Sequence, residues 1–205
     1  MTAVAPTPNT AFAAIDAIEA TPRPWKWSRQ DYYRLAELGF FQGRRVELIR
    51  GDIVAMSPVK WPHTVSLAKI AEALRAIFAG MAWINTQNPF SISDSDPQPD
   101  VAVIPGRIED YSDHPGTALL IVEVADATLF YDTTTKAELY VTALVPEYWV
   151  LDLEHRLLHG YRDPAPLSPG LAATAYQTHQ TLDASASISP LAMTGSTIYT
   201  AELLP

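Results

Sequence analysis

A mixed α/β fold, with a central mixed sheet flanked by helices, is what this sequence predicts. Three observations carry that expectation. Val101–Ile104 and Leu119–Val124 are short, almost wholly apolar runs of buried-strand type. His63 to Met81 carries a wide apolar stripe at helical spacing. Strand and helix signals alternate in mixed order along the rest of the chain. With 205 residues, 48% of them hydrophobic, the chain is long enough for one domain with a sizeable core. Residues 1–24 are rich in Ala, Thr and Pro and read as a disordered N-terminal tail, because Pro6, Pro8, Pro22 and Pro24 interrupt any helix. Residues 25–205 read as a single domain.

Taken in order, Ser28 can cap a helix running to about Phe41, with Tyr32, Leu35, Leu38 and Phe41 at helical spacing and Gly39 and Gly43 bracketing its end. Val46–Ile49 and Ile53–Met56, separated by Arg50-Gly51-Asp52, form a hairpin signature. In the helix from His63 to Met81, Val65, Leu67, Ile70, Ala71, Leu74, Ile77 and Phe78 make the apolar face, and Lys69, Glu72 and Arg75 are expected to point outward. A strand follows at residues 83–87, then the two apolar runs. Asp132 can cap a helix over Thr133 to Leu144. Tyr148–Leu151 and Leu157–Tyr161 read as strands around a turn at Glu154-His155, with a further strand near Ala175 to Thr181. No internal repeat is visible.

Composition narrows the function. With 14 basic against 23 acidic residues, the formal net charge of -9 argues against avid, non-specific nucleic-acid binding, which rests on many Lys and Arg contacts to phosphate. It leaves room for a catalytic visit to a phosphodiester, because bound cations can reverse a local field. The absence of cysteine rules out disulfides and thiolate metal sites. No stretch reaches membrane-spanning length, and the first residues lack the basic and apolar regions of a secretory signal. A cytoplasmic protein is the expectation.

Three acids stand in unusual places. Glu47 lies inside Val46-Glu47-Leu48-Ile49, Asp100 opens the strand at Val101, and Glu123 directly follows four apolar residues. A carboxylate on an apolar strand is costly to bury unless it is paired or ligates a cation. A shared divalent cation would explain all three. Taken singly, Asp100 after Pro99 also fits a turn, and Glu47 also fits a solvent-facing hairpin position beside Arg44 or Arg45. Lys136, on the helix after the Glu123 strand, can return toward the strand end, although a lysine in a first helical turn is more often solvated.

The ordered series of motifs resembles the Uma-type (DUF820-like, Uma2) restriction endonuclease family. It comprises Val46-Glu47-Leu48-Ile49 with Gly51, Met56-Ser57-Pro58 and His63, Gln98-Pro99-Asp100, Val122-Glu123-Val124-Ala125-Asp126, and Tyr131-Asp132 with Lys136 and Tyr140. Pro146-Glu147-Tyr148-Trp149-Val150-Leu151-Asp152, Ser189-Pro190-Leu191-Ala192 and Leu203-Leu204-Pro205 complete it. The likeness spans roughly residues 27–205. It implies the αβββαβ core of the PD-(D/E)XK nuclease superfamily, with Pro99-Asp100 as the PD element, Glu123 as the acid of the (D/E)XK element and Glu47 as the upstream acid. Ala125 stands where that pattern places its lysine, and Lys136 is the natural substitute.

The expected activity is therefore metal-dependent hydrolysis of nucleic-acid phosphodiesters, DNA by family analogy. Asp100, Glu123 and Glu47 would ligate Mg²⁺ or Mn²⁺, and Lys136 would act on water and the transition state. His63, Gln98 and Tyr140 are accessory candidates. Bland readings compete for two of them: a solvent-exposed helix-entry histidine and a packing tyrosine. Glu147, Tyr148, Trp149 and Asp152 read as a fold signature, and Asp126 as a loop residue. A homodimer would suit a double-strand cut. The competing expectation is a catalytically inactive nuclease-fold module that binds a protein or nucleic-acid partner.

Overall fold

A computed structural model describes residues 22–167 and 173–205. Most of the expected tail therefore lies outside the described residues. Helix α1 (Arg29–Glu37) begins with a reciprocal capping box, in which the Ser28 hydroxyl accepts from the Asp31 N–H and the Asp31 carboxylate accepts from the Ser28 N–H. It stops short of the expected Phe41 because Gly39 adopts a left-handed φ of +81°. Phe41 instead stacks on Tyr32 from the turn that follows.

Strands β1 (Val46–Ile49) and β2 (Asp52–Ala55) form the expected hairpin. Its two turn residues, Arg50 and Gly51, have φ of 51° and 75°, the doubly left-handed turn whose twist matches the strands. All four β1 residues are buried, Glu47 among them. The alternation rule fails here because β1 is covered from two sides. On one side Tyr32 of α1 donates its hydroxyl hydrogen to the Val46 carbonyl at 2.9 Å. On the other, the Asp96 N–H bonds to the Leu48 carbonyl at 2.7 Å.

Six strands make the main sheet: β3 (Ala82–Thr86), β4 (Val101–Pro105), β5 (Leu120–Ala125), β6 (Glu147–Asp152), β7 (Leu157–Pro166) and β8 (Thr174–Leu182), adjacent in chain order. Only β5 and β6 run parallel, and a helical crossover joins them, as a parallel pair requires. That crossover comprises α3 (Leu129–Tyr131), a π turn (Asp132–Lys136) and α4 (Ala137–Thr142). Helix α2 (Trp61–Ile77) covers the face carrying Val101, Val103, Val122 and Val124, while α4 covers the face carrying Ala102, Ile121, Tyr148 and Val150. The central strands are thus apolar on both sides, which is why they read as continuous runs. α2-β3-β4-β5-crossover-β6 is the αβββαβ order.

Two local expectations change. Lys69 is half-buried, not outward, and its ammonium donates to the Leu204 carbonyl. The chain end, with β9 (Ser187–Ile188), β10 (Ile198–Tyr199) and α5 (Thr200–Leu203), folds back beside α2 and buries Leu203 and Leu204 in its core. Asp132 is not a helix cap. The chain is already helical at Leu129, and Thr133 and Thr134 turn their hydroxyls back onto the Leu129 and Phe130 carbonyls. Such back-bonding competes with the regular ladder, consistent with the wider π turn at this point.

Candidate active site

Glu47, Asp100, Glu123 and Lys136 come together on the wall of one cavity of about 100 Å³, with His63 and Gln98 beside them. Each is delivered by a different element. The hairpin turns Glu47 inward, and the Pro99 bend sets Asp100 at the mouth of β4. β5 points Glu123 at the face under α4, and the π turn aims Lys136 back at the strand ends. All four are at least nine-tenths buried.

The Lys136 ammonium lies 2.7 Å from the Glu47 carboxylate and 3.2 Å from that of Glu123. The other Glu47 oxygen accepts the Gln98 backbone N–H at 3.0 Å. Glu47 was expected to ligate a metal or orient water; its Oε1 accepts that N–H, while its Oε2 is buried with no hydrogen-bond partner and only the Lys136 ammonium beside it. Glu123 also accepts the Tyr140 hydroxyl at 2.7 Å and the Asp100 N–H at 3.2 Å. Asp100 accepts the Val124 N–H at 2.9 Å, faces His63 Nε2 at 3.0 Å, and receives the Gln87 side-chain amide at 3.2 Å. These contacts tie β4 to β5 through their acids.

The accessory candidates divide. His63 is not a solvated helix-entry residue: only 12% of its side chain is exposed, and it packs against Asp100. Tyr140 combines both readings, since it is fully buried in the core and also donates to Glu123. Gln98 lines the cavity, but its side-chain amide donates to the Val46 carbonyl at 3.3 Å. Asp126 pairs with Lys60 at 2.8 Å on the cavity wall. Glu147 lies away from the cavity as a fully buried acceptor for Trp149 Nε1, Arg162 Nε and the Leu191 N–H.

Two residues of the site went unread in the sequence. Asp132 is buried, lines the cavity, and accepts the Thr128 hydroxyl at 2.6 Å. Its spacing of four from Lys136 was the available signal. Gln87 holds φ of +51°, a strained value for a side-chain-bearing residue. That conformation lets its N–H reach the Pro99 and Asp100 carbonyls while its amide reaches the Asp100 carboxylate. No pattern in the sequence marks it.

Glu47 and Glu123 pair with the Lys136 ammonium, with Asp100 and Asp132 on the same cavity wall, and the titration of these groups follows. Burial, helped by Asp100, Asp132 and Glu47 against the opposing pull of Lys136, pushes Glu123 up to about 8. Burial raises Asp132 to about 6, against the Thr128 hydrogen bond. Burial works to lower Lys136, but Glu123 and Glu47 outweigh it and hold the ammonium well above its ordinary value. A Thr128→Val variant removes the donor that favours ionised Asp132. We expect a stability loss of about 1–3 kcal/mol at neutral pH that shrinks as the pH falls, measurable by urea denaturation.

Among the described residues no group of three or more His, Asp or Glu side chains stands in a metal-holding arrangement. The carboxylates on the wall beside Lys136 are Glu47, Asp100 and Glu123, each already held by at least one protein donor. A pair of carboxylates completed by water and substrate oxygens is the usual demand of Mg²⁺.

The profile of the family described as "Uma2: Putative restriction endonuclease" matches residues 29–201. The chain belongs to the Uma2 family. Its fold is also that of a solved structure, a "putative nuclease belonging to DUF820" from Anabaena variabilis ATCC 29413. The TM-score is 0.66 at 14% identity, over 88% of this chain and 97% of that one. At such identity the likeness shows the fold alone. No curated protein matches this Uma2 chain. Among the described residues of the Uma2 chain, no helix is long and apolar enough to cross a membrane.

Proposed function

We propose that this Uma2 chain is a metal-dependent endonuclease hydrolysing nucleic-acid phosphodiester bonds, with DNA as the substrate by family analogy. The observation that carries the reading is the buried Lys136, held between Glu47 and Glu123 on the cavity that Asp100 also lines. A lysine sealed among acids inside a cavity is costly to place there for packing alone.

Asp100 and Glu123 would hold Mg²⁺ or Mn²⁺, which when bound supplies Lewis acidity toward phosphate oxygens and a more acidic water. Lys136 stays charged and presents its ammonium to the attacking water and to the charge that grows on the phosphoryl oxygens. Glu47 fixes that ammonium in place. His63 and Gln87 hold the Asp100 carboxylate in one orientation.

The test combines calorimetry with Mn²⁺ and Mg²⁺ on wild type and Asp100→Ala with nicking of supercoiled plasmid and of single-stranded circular DNA. Wild type should bind the cation and nick in its presence. Asp100→Ala and Glu123→Ala should lose roughly a hundredfold or more of the activity. A wild type that binds neither cation, or variants that cleave as fast as wild type, would sink the reading. Nucleic-acid binding without cation dependence or cleavage would instead mark a nuclease-fold binding module.

A further inference from the structure

Arg45 leads into β1 and stands on the cavity wall without joining the ion pairs there. The Met56 N–H bonds to the Arg45 carbonyl at 2.9 Å, which extends the β1–β2 ladder one step beyond the pairing of Val46 with Ala55. Side chains two apart on a strand share a face, so Arg45 turns to the side that Glu47 takes toward Lys136. Met56, opposite Arg45, lines the same cavity. Arg45 is also exposed, which puts it at the opening and not on the floor. Arg44, one residue earlier, is exposed as well but does not line the cavity. Every other basic group on that wall already has a carboxylate. Lys136 has Glu47 and Glu123, Lys60 has Asp126 at 2.8 Å, and His63 has Asp100 at 3.0 Å. Arg45 has no ion-pair partner among the described residues.

The wall carries five acids, Glu47, Asp100, Glu123, Asp126 and Asp132, and a phosphodiester approaching them meets like charge. The paired cations are largely cancelled by their carboxylates and draw an anion only weakly. An unpaired guanidinium at the opening supplies the missing attraction, and its planar fork matches two phosphate oxygens at once. The side chain enters no ion pair of the fold, so folding does not require its charge. Resting on the nuclease reading, we infer that Arg45 grips a backbone phosphate of the substrate at the mouth of the cavity, while the phosphate to be cut lies at the acids below. Such a contact fixes the position of the strand and reads no base, so it serves every sequence equally. In a chain with 14 basic against 23 acidic residues, one well-placed cation carries a large share of the attraction.

The test is fluorescence anisotropy with a short labelled DNA, single-stranded and as duplex, in EDTA across a range of KCl concentrations, followed by plasmid nicking with Mn²⁺. It uses the full chain as wild type, Arg45→Gln, Arg45→Lys and Arg44→Gln. Arg45→Gln should weaken binding by roughly tenfold and lower the slope of log affinity against log salt by about one. In nicking it should raise KM by a similar factor with kcat nearly unchanged, because substrate and transition state share the lost contact. Arg45→Lys should restore the salt slope and part of the affinity. Arg44→Gln makes the same change in net charge away from the cavity and should behave as wild type. Both arginines are exposed, so unchanged thermal melting should show that the variants fold. Unchanged affinity and slope in Arg45→Gln, an equal loss in Arg44→Gln, or a wild type that binds neither form of DNA at any salt would overturn the inference. Arg45-dependent binding without cation-dependent cleavage would keep the anchor and remove the nuclease. Cleavage indifferent to Arg45 would do the reverse.

Discussion

Replacing Lys136 with methionine is expected to destabilise the protein by about 3–5 kcal/mol at neutral pH, because removing one partner leaves buried carboxylates without compensation. Glu47 and Glu123 lie within 2.7 and 3.2 Å of the ammonium, and the lysine is 1% exposed. A solvated first-turn lysine would change stability by no more than about 0.5 kcal/mol. Urea denaturation therefore separates the two readings. The loss should shrink as the pH falls, since the stranded acids neutralise themselves by taking up protons. Adding Glu47→Gln to Lys136→Met should recover part of the stability, and the shortfall from additivity measures the pair. Cleavage by Lys136→Met should fall by roughly a hundredfold or more, on the magnitude typical of a lost charge-stabilising donor.

The second large effect concerns Glu123 and pH. Its folded value, about 8, stands above the ordinary 4.5, because burial and the neighbouring acids disfavour its charge. Between those values the folded state holds a proton that the unfolded state has released. Stability therefore falls as the pH rises through that window, by up to about 1.4 kcal/mol per pH unit for one proton. Asp132, raised from 3.8 to about 6, contributes with the same sign over the lower part of the window. Without divalent cation, wild type should unfold more easily at pH 8 than at pH 5, and Glu123→Gln should flatten that slope while abolishing cleavage. Mn²⁺ should restore stability at pH 8 in wild type and much less in Glu123→Gln, by binding the folded state alone. Thermal melts across pH, with and without cation, would measure both. A wild type most stable at pH 8 without cation would contradict the burial of these charges.

The fold was largely legible because the strands under two helical layers are apolar on both faces. Val101–Ile104 and Leu119–Val124 announce themselves for that reason, and the helix over His63 to Met81 does so through its stripe. Boundaries set by local geometry were less legible. α1 ends at a left-handed glycine, and the crossover helix starts before Asp132 and widens at a run of threonines that bond their own backbone. The outward reading of Lys69 failed because the last residues return to α2, a contact between positions 69 and 204.

By itself the sequence determined the family, the order of the αβββαβ elements and the acids that had no comfortable place on their strands. A buried charge contradicts the apolar pattern around it, and that contradiction is visible at Glu123 without any coordinates. Only the tertiary structure decided what each charge faces. Glu47 fits a solvent-facing hairpin position as well as a buried acid until α1 and the segment before β4 close over β1. Asp132 reads as a cap until the helix begins one turn earlier. Gln87 carries no signal at all, because its role depends on one backbone dihedral angle. Patterns of period two and 3.6 report which face of an element is covered. The partners across the cavity come from five separate segments of the chain, and only packing fixes their distances.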